Sequence, residues 1–264
     1  MNKEKILTET GIEIICDIAK QIPLIGPIIA SPAKSVLLDI ASRHLSKREE
    51  FRVSNTAKYC IEEIKDRVIK GGKLRDDDFF FSNNEIYRSS AEEIFEGVLI
   101  KCKNEHEEKK SKFISNIFIN ISFSNEYKVE EANHLLKVAE DLTYRQLCLI
   151  RLFKEHYINP YDIRFNEKEF FNSKEIFLLQ EIHELSQMNI LNKLKFKEEV
   201  INRLSKEMIH NAFNEGDFQL LNDWGEVIPA RMVPSQFGYQ CYYTMGVKEV
   251  PNSDLDSIIK LLRE

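Results

Sequence analysis

Glycine is scarce in this sequence, and the dipeptides that form tight turns are few. Only nine of the 264 residues are glycine. An all-β fold needs many short turns between its strands, and glycine supplies the backbone angles that several turn types require. The composition therefore disfavours an all-β fold and predicts a mainly α-helical protein. The hydrophobic fraction of 43% and the charged fraction of 30% are typical of a folded chain with a sizeable core.

The motifs that identify common enzyme classes are also absent from the sequence. It contains neither of the glycine-rich loops that bind phosphate groups, GxxxxGK[ST] and GxGxxG. It has no GxSxG nucleophile motif, no HExxH zinc motif and no pair of histidines at i, i+4. The acidic run Asp76, Asp77, Asp78 lacks the DxDxDG spacing of a calcium loop. We therefore expect a protein that is not an enzyme and that carries no catalytic, cofactor or metal site.

Cysteine pairs at the spacing of a metal site or a redox motif are missing as well. The five cysteines are widely spread and include no CxxC pair, which argues against a disulfide framework and against a zinc site. The opening residues, MNKEKILTETGIEII, carry acidic side chains where a secretory signal has a positive region followed by an apolar run. Together these features predict a protein of the reducing cytoplasm.

The strongest helical pattern lies in residues 89–125, near the middle of the chain. Ser90 and Glu93 have the spacing of a capping box, in which a hydroxyl and a carboxylate satisfy free amides at a helix start. Apolar residues then recur at helical spacing, namely Ile94, Val98, Leu99, Cys102, Phe113, Ile117 and Ile121. The almost wholly charged segment 103–112 is either a solvated turn between two helices or the middle of one long helix bent near Asn104. We predict the long helix, because little in this stretch breaks a helix, and its charged part is then a solvated face or a partner-binding ridge.

A second capping box, Ser46 with Glu49, predicts the start of another helix. This helix ends at Gly71 and Gly72, which are natural residues for a helix C-terminus. We expect its apolar stripe to be buried, and the stripe consists of Phe51, Ala57, Ile61, Ile64 and Val68.

An apolar segment at residues 22–41 precedes that helix. Its apolar run is broken by Pro23 and Pro27 and is much shorter than the ~20 residues of a membrane-spanning helix. The segment is either a loop buried under helices, a membrane-touching element or a surface for self-association. The candidate residues for a membrane contact or for self-association are Ile22, Leu24, Ile25, Ile28 and Ile29.

The last part of the chain has a different pattern, in which helices are followed by segments with strand-like composition. A helix is predicted at 198–214, and residues 220–227 and 237–245 are predicted to be extended. Helices followed by a two-stranded hairpin suggest a small winged-helix-like module. We therefore predict two domains, a helical bundle at 1–141 that contains the long central helix and a winged-helix-like module at 142–264.

Aromatic side chains are concentrated in the predicted hairpin. Trp224, Phe237, Tyr239, Tyr242 and Tyr243 make up this cluster. In a strand, Tyr239 and Tyr243 share one face and Tyr242 lies on the other. One face then packs on helices, and the other either completes the core or exposes tyrosine for a protein partner, a use that suits this large, stiff and amphipathic side chain. The candidate protein-contact residues are Trp224, Tyr239, Tyr242 and Tyr243.

Charge disfavours nucleic acid as a partner. The formal net charge is −6 and the isoelectric point is about 5.7, whereas nucleic-acid-binding domains are usually basic. The predicted helix 198–214 offers Arg203 and Lys206 for phosphate contacts. These residues are outweighed by the acidic residues of the same helix, which are Glu198, Glu199 and Glu207.

Two segments in the middle of the chain resemble a known pattern. These are NEHEEKKSKFISNIFINISFSNE, at 104–126, and HLLKVAEDLTYRQLCLIRLF, at 134–153. They are similar to uncharacterised bacterial helical proteins found with prophages and phage-defence genes, in which the corresponding helices precede a small winged-helix-like end. The resemblance covers about residues 90–155, rests on helix spacing and Leu-Thr capping, and carries no functional residues. It implies a bacterial host and a role in antiviral defence or its regulation.

These features predict a non-enzymatic interaction protein, which is a sensor, adaptor or regulator in a bacterial conflict system. It would act through a protein partner or through self-association, without a small-molecule substrate. Two alternatives remain open. One is a membrane-acting effector that uses residues 22–41, and the other is a DNA-binding transcriptional regulator.

Overall fold

The computed structural model describes residues 9–22, 26–81, 88–155, 171–194, 218–219 and 221–263. These residues are mainly helical, as the composition predicts. The chain forms two compact units, Met1–Thr143 and Tyr144–Glu264. The domain division predicted from the sequence, after residue 141, lies beside this boundary.

The described part of the first unit is a bundle of α-helices. Its helices are α1 (Glu9–Lys20), α2 (Gly26–Ser42), α3 (Lys47–Ile69), α4 (Ser90–Asn104), α5 (Ser111–Ile121) and α6 (Val129–Asp141). Short 3-10 turns lie at Asp78–Phe80 and Glu108–Lys110. Helix α4 has the central position, since it packs against α2, α3, α5 and α6.

The prediction of one long central helix is wrong. Residues 89–125 form α4 and α5, which pack against each other and are separated by residues 105–110. The chain leaves the helical conformation at Glu105, where φ is −67° and ψ is 129°. The physical reason is that Glu105 and Lys110 are buried and paired with each other, with Lys110 Nζ 2.7 Å from Glu105 Oε2. The charged segment is therefore a corner built around an internal ion pair, and α5 can fold back on α4.

Capping residues define the starts of α3 and α4. The Ser46 and Glu49 capping box is confirmed, because the Ser46 hydroxyl accepts from the Glu49 amide and the Glu49 carboxylate accepts from the Ser46 amide. At α4 the predicted box is displaced by one residue, since Ser89 and Glu92 make these two bonds. Ser90 is the first helical residue. In a run of two serines followed by two glutamates, either register satisfies the spacing rule.

Helices α4 and α6 approach closely at a glycine. A Cβ atom added to Gly97 would lie 2.9 Å from Leu136 Cδ1, so the missing side chain makes room for the α6 leucine. On the opposite part of α4, the Phe95 ring lies against the Phe118 ring of α5 with 5.0 Å between centroids. The apolar stripe read from the sequence of this stretch therefore faces its neighbours in the bundle.

The second unit combines helices with a small antiparallel sheet. Its described helices are α7 (Tyr144–Glu155), α8 (Ser173–Gln187), α9 (Gln236–Thr244) and α10 (Asn252–Arg263), and its strands are β1 (Leu191–Leu194), β2 (Phe218–Gln219) and β3 (Met232–Pro234). The strand order is β2-β1-β3, and both outer strands run antiparallel to β1. Asn192 pairs with Val233, and Lys193 pairs with Gln219 on one side and Met232 on the other.

The second unit does contain a small antiparallel sheet, but the predicted placement of a hairpin in residues 220–227 and 237–245 is wrong. Residues 236–244 form helix α9, and the 220–227 region contains the 3-10 turn Trp224–Glu226. The buried positions Gly238, Cys241, Tyr242 and Met245 are spaced as i, i+3, i+4 and i+7, which is a helical period. Aromatic composition suggested a strand, but the periodicity decides the structure. The predicted helix 198–214 lies outside the described residues.

Helix α9 begins in close contact with the end of α8 and the start of β1. The Ser235 amide donates to the Ile190 carbonyl at 2.9 Å, and the Ser235 hydroxyl accepts from the Gly238 amide. A Cβ atom at Gly238 would lie only 2.1 Å from the Ile190 carbonyl oxygen. The backbone of α9 can therefore approach this carbonyl only because residue 238 is glycine.

Candidate functional site

The predicted aromatic cluster is divided between two elements of the second unit. Helix α9 carries Phe237, Tyr239, Tyr242 and Tyr243. Trp224 is half-buried in a 3-10 turn that packs against α8. The structure therefore brings the three tyrosines together and gives the tryptophan a different set of neighbours.

The three tyrosines differ in exposure because a helix places them on one side at different depths. Tyr242 is 4% exposed, Tyr239 is half-buried and Tyr243 is 62% exposed. The rings of Tyr242 and Tyr243 meet edge to face, with centroids 5.2 Å apart and an interplanar angle of 88°. This arrangement is the favourable one for two aromatic quadrupoles. The expected strand pattern, with Tyr242 opposite the other two, does not occur.

Lys154 of α7 places its ammonium group over all three rings. The Nζ atom lies 4.7 Å from the Tyr239 centroid, 5.6 Å from that of Tyr242 and 5.9 Å from that of Tyr243. A cation within about 6 Å of a ring face is attracted by the aromatic quadrupole. We call Lys154, Tyr239, Tyr242 and Tyr243 together the tyrosine surface.

The buried member of this surface is anchored by hydrogen bonds to α7. The Tyr242 hydroxyl donates to Glu155 Oε1, and Arg151 donates to Glu155 Oε2 from Nε and Nη2 at 3.3 Å. Arg151 also donates from Nη1 to the Val250 carbonyl. Burial raises the pKa of the Tyr242 phenol, and its bond to the Glu155 carboxylate raises it further. Tyr242 therefore stays neutral and acts as a donor.

The far end of α7 is tied to α10 in a similar way. The Tyr144 hydroxyl donates to Asp254 Oδ2 at 2.6 Å. Burial raises the pKa of the Tyr144 phenol, and the bond to Asp254 adds to the effect. Both anchored phenols thus serve to hold helices in place. The tyrosine surface therefore lies on helices that are held in place, and it can contact a partner through its aromatic rings and the Lys154 ammonium group.

Trp224 is positioned by the turn in which it lies. The Asp223 carboxylate accepts from the Gly225 amide at 2.7 Å, and Lys193 Nζ of β1 donates to the Glu226 carbonyl at 2.6 Å. Burial lowers the pKa of the Lys193 ammonium. These contacts join the turn to the sheet, so Trp224 belongs to the packing between this turn and α8.

Most of the described candidate residues of segment 22–41 are buried in the first unit. Ile22 and Ile29 are buried and Ile28 is half-buried, whereas Leu24 and Ile25 lie outside the described residues. The rest of the segment belongs to α2, which packs against α1 and α4 through its buried residues, whereas Leu38 is 42% exposed. Within the described ranges, every helix is too short or too polar to cross a membrane.

Acidic residues that could hold a cation are already engaged. Asp77 pairs with Arg75 at 2.5 Å and caps the following turn by accepting from the Phe79 amide. Glu105, His106 and Glu107 bring ligand-type atoms within 4.8 Å of one another. The Glu105 carboxylate, however, is paired with the Lys110 ammonium, so a metal ion would have to displace a buried ion pair.

A cleft of the first unit was missed by the sequence reasoning. It lies between α3 and α5 and is lined by Phe51, Arg52, Tyr59 and Lys112, among others. Phe51 was expected to be buried in the α3 stripe, but it is 50% exposed. The available signal was that Phe51 lies six residues before Ala57, which takes it off the i, i+3, i+4 stripe.

No family model, curated protein or solved structure matches this chain.

Proposed function

We propose that this chain is a non-enzymatic interaction protein that self-associates through the tyrosine surface. The observation that carries the proposal is the 62% exposure of Tyr243 beside a tyrosine that is almost completely buried. Tyrosine is enriched in protein interfaces because its ring buries a large apolar area while its hydroxyl can still form hydrogen bonds.

The residues that hold Tyr243 in place reduce the entropy cost of binding a partner. The Tyr243 ring packs against Tyr242, and the Tyr242 hydroxyl is bonded to Glu155. A side chain that is already held in one position loses less conformational entropy when a partner covers it. A rigid aromatic residue near the centre of a patch is also the usual form of an energetic hot spot.

A second copy of the chain is the partner that we propose for this surface. Most soluble oligomers are symmetric, and a two-fold interface places one patch against the same patch of the partner. The exposed Tyr243 then contributes to both sides of the interface, so a single aromatic residue supplies two contacts.

The biological role we propose is that of a sensor, adaptor or regulator in a bacterial antiviral system. Its support is the similarity of residues 90–155 to helical proteins found with prophages and phage-defence genes. We also retain a winged-helix-like assignment for the second unit as part of the proposal. That assignment is supported by helices followed by a small antiparallel sheet, and here the module serves protein contacts.

The test is the mass of the purified protein across a concentration range, measured by light scattering for the wild type and for Tyr243→Ser. We expect the wild type to form a dimer or a larger assembly. Loss of a hot-spot residue costs at least about 2 kcal/mol, so the dissociation constant of the variant should rise by about thirtyfold.

Phe177→Ser provides the matched control, because Phe177 lies on α8 of the same unit and is 64% exposed. It should assemble like the wild type, and circular dichroism should show equal helical content in all three proteins. A wild type that remains monomeric at every concentration would overturn the proposal. A Tyr243→Ser protein that assembles normally would also do so.

A further inference from the structure

The cleft between α3 and α5 has the composition of a binding site for a small anion. Its volume is about 190 Å³. Its wall combines the aromatic residues Phe51 and Tyr59 with the cations Arg52 and Lys112. Arg48 adds a further guanidinium beside the same cleft, through Glu108. Within a chain of net charge −6, such a local excess of cations is informative.

The two arginines already hold a carboxylate at this position. Arg48 donates to Glu108 Oε1 from Nε at 3.1 Å and from Nη2 at 2.7 Å, and Arg52 donates to the same oxygen from Nη2 at 3.3 Å. Paired guanidinium donors match the geometry of carboxylate and phosphate groups. The contact with Glu108 therefore shows that the two arginines can bind a carboxylate group. Its side chain is 52% exposed, so a ligand can displace it into solvent.

Arg52 has a donor that the described residues do not satisfy. Its Nη1 donates to the Lys103 carbonyl at 3.1 Å, but its buried Nε has no hydrogen-bond acceptor within the described part of the chain. A buried donor without a partner is unfavourable. The Nη1 bond holds Arg52 against the end of α4, and its Nη2 donates to Glu108 at the cleft.

The start of α5 adds to the positive potential of the cleft. Ser111 and Lys112, in the first turn of α5, line the same wall. The N-terminus of a helix favours negative charge, because its free amides and the helix dipole are positive there. The anion-binding side of the cleft thus has contributions from α3, from α5 and from the turn between α4 and α5.

We propose that this cleft binds a small aromatic anion. Arg48 and Arg52 hold its carboxylate or phosphate in place of Glu108, and the ring lies between Phe51 and Tyr59. The volume suits a single ring, since a cavity of about 150 Å³ accommodates benzene. The site belongs to the first unit and is independent of the self-association proposed for the second, so each can fail without the other.

The test is isothermal titration calorimetry of the full chain with phenyl phosphate and, separately, with benzoate. Benzyl alcohol has the ring without the charge, and inorganic phosphate has the charge without the ring. We expect at least one aryl anion to bind more tightly than both of these probes. Comparing phenyl phosphate with benzoate distinguishes a phosphate ligand from a carboxylate ligand.

Two variants separate the proposed site from general charge effects. Arg48→Gln should weaken binding by about tenfold, because a hydrogen bond to a charged group is lost. Glu108→Gln should strengthen it roughly two- to fivefold, because the carboxylate that competes with the ligand for the two arginines is replaced by a neutral amide. Arg48 and Glu108 are exposed, so both variants should fold.

Lys58→Gln is the matched control, since it removes one positive charge from the same helix at a position paired with Glu62. It should bind the aryl anion like the wild type. The proposal is overturned if neither aryl anion binds, if Arg48→Gln binds as tightly as the wild type, or if Glu108→Gln does not bind more tightly.

Discussion

Glu105 and Lys110 form a buried ion pair at the corner between α4 and α5, with 2.7 Å between Glu105 Oε2 and Lys110 Nζ. Their side chains are only 5% and 3% exposed. Lys110 Nζ also donates to the Glu140 carbonyl at 3.0 Å, and Glu105 Oε1 accepts from the Glu107 amide at 2.9 Å. The pair therefore links the corner to the end of α6 and fixes the direction in which α5 leaves α4.

Lys110→Met should destabilise the first unit by roughly 3–5 kcal/mol, because it leaves the Glu105 carboxylate buried without its counter-charge. The measurement is amide hydrogen exchange of α4 and α5, which reports the local opening free energy. The exposed neighbour variant Lys109→Met is the control and should stay close to the wild type. Adding Glu105→Gln to Lys110→Met should recover part of the loss. Exchange in Lys110→Met equal to that of the wild type would contradict the assigned role.

The same pair should make the stability of the first unit depend on pH in the acidic range. Burial raises the pKa of the Glu105 carboxyl, but the bonds from Lys110 and the Glu107 amide outweigh it, so the net pKa lies below the ordinary 4.5. A carboxyl with a lowered folded-state pKa stabilises the fold fully above the unfolded-state pKa. That stabilisation is lost as the pH falls through the folded-state value.

The expected result is that Glu105→Gln is less stable than the wild type at pH 7 and that the difference shrinks as the pH falls below about 4.5. Urea unfolding followed by circular dichroism at several pH values measures this difference. Glu126→Gln makes the same chemical change at an exposed carboxylate, and its stability should depend on pH in the same way as that of the wild type. A difference between Glu105→Gln and the wild type that stays constant down to pH 3 would argue against the ion pair as its cause.

Periodicity and capping signals predicted the start of α3 and the buried faces of α4 and α5, and they failed where burial depends on distant residues. The α3 capping box and most of the α4 and α5 stripe lie as expected. Segment 103–112 is charged, so a solvated face or a partner-binding ridge was predicted there. Its fold depends on an ion pair whose lysine also binds a carbonyl thirty residues away, and no local rule contains that information.

The tyrosine surface shows a different limit of prediction from the sequence. The aromatic residues were singled out from the sequence, but a strand was predicted for them because aromatic composition was given more weight than spacing. The period of residues 238–245 is helical and could have been read from the sequence. The position of Lys154 over the rings could not, since α7 and α9 are distant in the chain. The cleft is a similar case, because Arg48 and Glu108 are sixty residues apart.

Tyr242→Phe tests the division of the tyrosine surface into an anchored and an exposed part. The change removes the hydroxyl that donates to Glu155, and a hydrogen bond to a charged group contributes roughly 1.5–3 kcal/mol. Fluorescence of Trp224, the single tryptophan of the chain, follows unfolding of the second unit in denaturant. Phe177→Leu is the control, because it changes an exposed aromatic residue on α8 of the same unit, and it should unfold with the wild type. Equal stability of Tyr242→Phe and the wild type would show that the Glu155 bond does not anchor the surface.

Gly238→Ala should both destabilise the second unit and weaken self-association. The added Cβ would lie 2.1 Å from the Ile190 carbonyl oxygen, and a backbone atom cannot yield as the end of a side chain can. Helix α9 must then move away from Ile190, at a cost of roughly 1–3 kcal/mol, and this movement shifts the tyrosines relative to Lys154. Gln240→Ala is the control, because it shortens an exposed side chain of the same helix and leaves Gly238 in place.

Unfolding midpoints from Trp224 fluorescence and masses from light scattering should therefore change together in Gly238→Ala and remain near wild-type values in Gln240→Ala. Loss of stability with unchanged assembly would separate α9 from the interface. Unchanged stability would mean that the backbone at Ile190 yields more easily than a packed helix start allows. The joint loss is the expected result, since one close contact sets the position of the helix that carries all three tyrosines.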